Sequence, residues 1–438
     1  MKKVASILIL GFFIFGKAIA QHSNSLIVTT DIDNFWIAFD KITTTKDSAA
    51  QYDYLNKLFI DKGTPGLKAM MQVKDYTSKS YIDAINNYPL FWNSIRANTL
   101  KASGFSNEIA TNVARLKALY PALKPAKVYF TIGALKSVGT TLDSMVLIGS
   151  EIALADEHTV ADELPANFKQ LKNFFKSDPI NIVVFTNVHE YVHTQQKTTI
   201  GNNLLAQSVL EGVAEFMAEK ATNQHSTLPA VIYGESHEDS VKQVFATQMF
   251  NSSPGFWLYN NDENEFGVRD MGYYVGYAIC KDYYNHANDK EQAIKEMIEL
   301  NYNDESALDN FVNQSGYFEK TVDVYKSEYE ANRPTVVSIK QFKNNAADVN
   351  PGVSQITIEF SSPMNKLFRN FELGPLGVNN LLKIKRFIGF SDDGKMATFE
   401  VELKSNQRYQ IVIGDGFRNV SGIRLKPYLI NFSTGSSQ

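Results

Sequence analysis

Cysteine is almost absent from this chain: Cys280 stands alone among 438 residues. An intrachain disulfide is therefore impossible, and so is a zinc site built mainly from thiolates. Basic charge is also short, with 43 Lys and Arg against 47 Asp and Glu. Three of those cations, Lys2, Lys3 and Lys17, sit in an acid-free stretch of 20 residues at the start, so 40 basic side chains face 47 acidic ones thereafter. Such a chain has no general electrostatic claim on nucleic acid or on an anionic membrane. No run after that stretch has the length and apolarity of a membrane-spanning helix. Internal repeats and long low-complexity tracts are missing too. Hydrophobic residues at 44% and charged residues at 21% exclude wholesale disorder. A length of 438 residues exceeds what one compact core usually holds, so two domains are expected.

The amino terminus reads as a signal peptide over 1–20. Met1-Lys2-Lys3 is a charged start, Val4 to Phe15 is rich in Ile, Leu and Phe, and Ala18-Ile19-Ala20 is a small-x-small cleavage signal before Gln21. No cysteine stands near the cut, so a lipoprotein is not expected. The mature protein is expected to be exported, periplasmic or extracellular, and soluble, held by its core rather than by disulfides.

Two halves differ in texture. Residues 21–330 are mainly helical in spacing, as in Phe35, Trp36, Ala38 and Phe39, with short β-rich runs at Lys127–Ile132 and Met145–Ile148. From 335 to 438 the period becomes two: Gln355–Phe360, Thr398–Leu403, Tyr409–Ile413 and Tyr428–Phe432 alternate, with turns at Asp393-Gly394 and Asp415-Gly416. That stretch reads as a small β-sandwich. It carries 13 basic and 8 acidic residues, so the acid lies in the helical part, as do all seven histidines.

The chemistry is concentrated in His189-Glu190-Tyr191-Val192-His193, an HExxH sequence. Positions four apart share a helix face, so both imidazoles can reach one ion. Glu190, about 100° round the helix, can touch an activated water without filling a ligand position, as a general base must. Seventeen residues later comes Leu210-Glu211-Gly212-Val213-Ala214-Glu215-Phe216, after a turn signal at Gly201-Asn202-Asn203. Two carboxylates four apart on so apolar a helix need partners. A catalytic zinc takes three protein ligands and keeps one position open, and His189, His193 and Glu211 supply three. Glu215 is placed to accept the ring N–H of His189. One Zn2+ is the expected cofactor.

For the group that stabilises the oxyanion, the candidates are His237 and the tyrosines of Tyr273-Tyr274-Val275-Gly276-Tyr277; His237 and Tyr274 are taken into the catalytic set with Glu190. Met145–Ile148 is either an edge strand on which a peptide lies extended or a plain sheet strand. Cys280 is a core residue in an apolar helix.

HExxH followed by E-G-x-A-E-F resembles the gluzincin metallopeptidases, the group of thermolysin-like enzymes and zinc aminopeptidases. That resemblance implies His189, His193 and Glu211 as ligands and Glu190 as base. The Met-Glu-Asn motif of the aminopeptidases is missing, and Thr194 to Thr199 contain neither the glycine nor the third histidine that metzincins require after HExxH. More narrowly, Thr131-Ile132-Gly133, Gly139-Thr140-Thr141, the HExxH run and Gly272–Tyr277 resemble a family of exported bacterial proteins described as predicted zinc-dependent proteases. Phe360-Ser361-Ser362-Pro363-Met364 resembles bacterial Ig-like domains, modules that space, bind or dock to a surface polymer or protein. The expected fold is thus α+β: a mainly helical, zincin-like metallopeptidase domain followed by an all-β Ig-like sandwich. The expected function is exported zinc-dependent hydrolysis of a peptide or protein substrate. The alternative is a non-catalytic binding, assembly or surface-adhesion protein that keeps the metallopeptidase fold.

Overall fold

The computed structural model describes residues 26–252, 254–260 and 264–436. The signal peptide expected over 1–20 lies outside them. The chain is α+β, with two separate hydrophobic cores. One core runs from Ile27 to Val322 and the other from Val336 to Phe432.

The first core is helical around a four-stranded sheet. β1 (Ile27–Val28), β2 (Lys127–Thr131), β3 (Gly139–Leu142) and β4 (Met145–Gly149) are ordered β1-β2-β4-β3. β1, β2 and β4 are parallel, and β3 runs antiparallel to β4 with Gly139 opposite Ile148. Burial explains the order. Val128–Phe130 and Val146–Ile148 are continuous buried apolar runs, as strands covered on both faces must be. Gly139–Leu142 is half-buried throughout and takes the edge. β3 is therefore one edge and the two-residue β1 the other, whereas Met145–Gly149 is interior, a plain sheet strand.

Two helices carry the HExxH and E-G-x-A-E-F runs: Val183–His193 and Leu204–Thr222. The second is capped at Asn203, whose Oδ1 accepts the N–H of Ala206. Of its 19 residues 17 are buried, so it is the central helix of the domain. A third helix, Met271–His286, crosses it at backbone contact. A Cβ placed on Gly276 would stand 1.7 Å from the Ser208 carbonyl oxygen, and one on Gly212 would stand 2.0 Å from the Gly276 carbonyl carbon. No rotamer change relieves a clash with backbone, so Gly276→Ala must push the helices apart. Overpacking of this kind costs about 2–3 kcal/mol. A denaturant melt should show that loss, and an unchanged midpoint would contradict the close crossing. Because Glu211 precedes Gly212 directly, this crossing also sets where the carboxylate stands.

The second core is enclosed by two sheets. β5 (Val336–Ile339), β6 (Gln355–Phe360), β8 (Ile384–Phe390) and β9 (Met396–Val401) form one, in the order β5-β6-β9-β8. β7 (Phe371–Glu372), β10 (Arg408–Ile413) and β11 (Tyr428–Ser433) form the other. Rings from both meet in the middle, Phe371 lying 5.4 Å from Phe399 between centroids. Alternation in β6, β9 and β11 follows the pattern expected from the sequence, whereas β10 departs from it because Gln410 is buried together with Tyr409 and Ile411. The half-buried β8 carries two register shifts, which disrupt its period of two. Arg333 joins the two parts by donating to the carbonyls of Arg424 at 3.1 Å and Leu425 at 2.6 Å. Among the described residues no helix is long and apolar enough to cross a membrane.

Candidate metal centre

The HExxH helix starts from a short 3-10 turn at Pro179–Ile182 and buries Val183, Val184, Phe185, Val188 and Val192. That anchorage turns His189 and His193 toward the central helix. Their Nε2 atoms stand 3.1 Å apart. Glu211 Oε2 lies 3.2 Å from His193 Nε2 and 3.5 Å from His189 Nε2. All three side chains are buried.

Partners on the far side decide what these atoms offer. His189 Nδ1 sits 2.9 Å from Glu215 Oε2, and a carboxylate can only accept, so the proton is on Nδ1. The other oxygen of Glu215 accepts from Ser226 Oγ. His193 Nδ1 lies 2.6 Å from Gln196 Oε1. The Gln196 amide nitrogen is turned away, donating at 2.9 Å to both the Leu210 carbonyl and the Tyr302 hydroxyl, so its oxygen accepts from His193. Glu211 Oε1 is held by the Tyr259 hydroxyl at 2.7 Å and by Gln207 Nε2 at 3.2 Å.

With Nδ1 protonated and both imidazoles neutral, two nitrogen lone pairs and a carboxylate oxygen converge with no donor between them. Three acceptors in one buried spot repel unless a metal ion, or in its place an added proton, joins them. A tetrahedral ion with bonds of about 2.0–2.1 Å holds its ligands roughly 3.3–3.4 Å apart. The separations of 3.1, 3.2 and 3.5 Å fit that size. The donor set, two imidazoles and one carboxylate, fits zinc with an open position.

The metal-free cluster is strongly polarised. Burial is the largest influence on His189 and favours its neutral form, but the carboxylates of Glu211 and Glu215 outweigh it and raise the pKa to about 10. His193 is also raised, burial being opposed by Glu211. On Glu211, burial is overcome by the two histidines, which hold the carboxyl well below its usual range. Glu190 moves the other way: burial raises it, against the pull of His193 and His189. A raised carboxyl next to a metal position is a better proton acceptor than an ordinary carboxylate.

Among the described residues the Glu190 carboxylate has no hydrogen-bond partner. The backbone of β3 passes directly over it. A Cβ on Gly139 would be 2.6 Å from Glu190 Oε1, so a side chain there would displace the Glu190 carboxylate from its present position.

The two proposed donors to the oxyanion are not brought to this cluster. Tyr274 sends its hydroxyl to Glu238 Oε2 at 2.8 Å and packs its ring on Gly234. His237 is exposed, with its ring stacked on Tyr233 at 4.1 Å and its Nδ1 beside Ser236 Oγ. One residue is about 100° of helix rotation, and it is Tyr273 that faces the site. Its ring stacks on His189 at 6.1 Å between centroids. No hydrogen bond from its hydroxyl is seen among the described residues, and burial, with Glu211 next, holds its pKa well above the ordinary value. It is a neutral donor with nothing to donate to.

Gln196, Gln207 and Tyr259 were not expected from the sequence. Gln196 lies three residues past HExxH, where a polar residue ending a helix is unremarked. Tyr259 comes from an irregular loop, with its backbone in the left-handed region at φ 61°. An aromatic there is strained by about 1–3 kcal/mol, held in place by an N–H bond to Asp270 Oδ1. Removing the residues that orient the rings should loosen the metal without removing a ligand. Glu215→Ala and Gln196→Ala are each expected to raise the zinc dissociation constant about 10–100-fold, measured by competition with a chelating dye. Wild-type affinity in both would show that these contacts do not orient the ligands.

No family model matches the chain, and no curated protein matches it. Among solved structures, two of an S-layer protein are matched: the crystal structure of rSbsC(31-844) and that of surface layer protein SbsC, domains 1–6. Each comparison has 12% identity and a TM-score of 0.18, covering 93% of this chain and 44% of the other. The chain thus spans less than half the length of either.

Proposed function

We propose that this protein is an exported zinc-dependent peptidase of the gluzincin type, with an Ig-like module at its carboxy terminus. The observation that carries the reading is the convergence of His189 Nε2, His193 Nε2 and Glu211 Oε2 beside an unpartnered Glu190. A purely structural metal site has no use for a raised carboxyl at that point. The edge strand adds a second reason. β3 has no further strand beyond it among the described residues, so an extended peptide can pair there and run past Glu190.

When bound, zinc lowers the pKa of a water to near 7 and polarises the scissile carbonyl. Glu190 accepts the proton of the attacking water and later delivers it to the leaving amine. Tyr273 donates its hydroxyl to the oxygen that becomes negative. Glu215 and Gln196 keep both Nδ1 atoms protonated, and Tyr259 with Gln207 keeps Glu211 presenting one oxygen. Pairing with β3 holds the scissile bond in line with Glu190.

The test is hydrolysis of a casein and peptide mixture followed by mass spectrometry. Cleavage should stop when the protein is stripped by phenanthroline and return with zinc. Cleavage that survives stripping would remove the metallopeptidase reading. Tyr273→Phe should lower kcat about 10²-fold with KM little changed, as loss of one oxyanion donor does; Tyr274→Phe should not.

A further inference from the structure

Glu151 is a buried carboxylate that the peptidase mechanism does not use. It follows β4 directly, in the short helix Ser150–Ala153, and is 0% exposed. Among the described residues no cation pairs with it. Backbone donors meet its charge instead: one oxygen accepts the N–H of Gly133 at 2.8 Å and the other accepts that of Leu135 at 3.1 Å. Burial raises its pKa to about 7, and these bonds oppose the rise. The titratable groups that face it are Tyr76 and Tyr81. Both hold the same loop: the Tyr81 hydroxyl donates to the Ile132 carbonyl at 3.0 Å, and the Tyr76 hydroxyl accepts the N–H of Lys136 at 3.0 Å.

That loop, residues 132–138, leads from β2 into β3. Leu135 stands in it at φ 65°, a left-handed conformation that a bulky residue keeps only where its surroundings hold it. The chain then enters β3 without slack. The Gly149 N–H donates to the Val138 carbonyl at 2.9 Å, and Ser137 Oγ donates to the Gly139 carbonyl at 2.7 Å. Hydrogen-bonded positions alternate along an antiparallel pair, so Val138, Thr140 and Leu142 turn their backbone groups to β4. Gly139 and Thr141 are left to present theirs at the free edge. Gly139 is also the residue that lies against Glu190 Oε1. A shift of the loop therefore moves the edge on which a peptide would pair.

We propose that Glu151 is a positioning residue for substrate: by holding the N–H groups of Gly133 and Leu135, its carboxylate fixes the free edge of β3 on which an extended peptide pairs beside Glu190. This rests on the peptidase reading of the same site. Glu151 acts through the loop, on peptide binding and not on proton transfer.

The experiment uses the full chain, zinc-loaded, at pH 8, and compares wild type with Glu151→Gln and Tyr76→Phe. Glutamine keeps the size of the side chain but turns a donor toward one of the loop N–H groups. Tyr76→Phe keeps the ring and removes the acceptor of the Lys136 N–H, and it gives the same readout should Glu151→Gln fail to fold. With fluorescein-labelled casein, KM should rise about tenfold in Glu151→Gln and about threefold in Tyr76→Phe, with kcat within about twofold of wild type. Amide hydrogen exchange should quicken about tenfold across residues 137–142 and stay as in wild type in Val183–His193 and Leu204–Thr222. A fall in kcat at unchanged KM, unchanged exchange across 137–142, or exchange that quickens equally in the two helices would overturn the proposal. Exchange reports whether or not casein is cut: quickening confined to 137–142 in a chain that never cleaves casein would keep the hold of Glu151 on the strand and remove the peptidase reading.

Discussion

Glu190→Gln is expected to lower kcat about 10³–10⁴-fold while zinc remains at one ion per chain. The substitution keeps shape and packing, including the contact with Gly139, and removes only the ability to take a proton. General-base catalysis is worth about 10²–10⁴-fold, and the upper part of that range applies because no other unpartnered carboxylate lies beside the ligands among the described residues. The carboxyl is also raised by burial, so its charge is held at a cost in the folded protein. Glutamine relieves that cost, and the variant should melt no lower than wild type, in line with the usual opposition between stability and activity at a catalytic site. Full activity in Glu190→Gln would remove the residue from the mechanism. Loss of zinc together with activity would recast it as part of the metal's surroundings.

The second large effect is that of zinc on stability, and it should depend on pH. In the metal-free protein His189 has a pKa raised to about 10. A histidine raised in the folded state contributes stability that is fully present below its unfolded value of about 6.5 and is lost as pH rises toward 10. Glu211, lowered well below its usual range, contributes stability above about pH 4.3 that is lost only in acid. The metal-free protein should therefore weaken between about pH 6.5 and 10. The loaded protein needs neutral imidazoles and does not share that loss. The gain in melting temperature on adding zinc should thus be larger at pH 8.5 than at pH 6. Apparent affinity should rise about tenfold per pH unit for each proton displaced. At zinc concentrations about 1,000 times the dissociation constant, the ion adds about 4 kcal/mol. A gain independent of pH would mean that the histidines are not the ligands.

What was legible in the sequence is what is local. Two histidines four apart and two glutamates four apart define helix faces before any fold is known, and Gly201-Asn202-Asn203 marks the turn between them. The apolar setting of Glu211 and Glu215 also told in advance that both need partners, and both are buried with partners. What stayed hidden depends on rotation and on long-range approach. The tyrosine helix presents Tyr273 rather than Tyr274 because Gly276 and Gly272 must face the central helix, and a rotation set by packing is not written in the tyrosine spacing. The edge position of Gly139–Leu142 depends on which strand is covered, and its short polar run carries no strand signal of its own. Tyr259 reaches Glu211 from a loop 48 residues away in sequence, with no motif to announce it.

X-ray absorption at the zinc edge of the purified, full-length protein tests the central claim most directly. The account predicts one zinc per chain with two imidazoles, one carboxylate oxygen and one exchangeable water, all at about 2.0–2.1 Å, and no sulfur. It also predicts that Glu211→Gln alters the carboxylate contribution while Glu190→Gln leaves the spectrum as it is. A protein that takes up no zinc, or a spectrum indifferent to Glu211 and changed by Glu190, would contradict it.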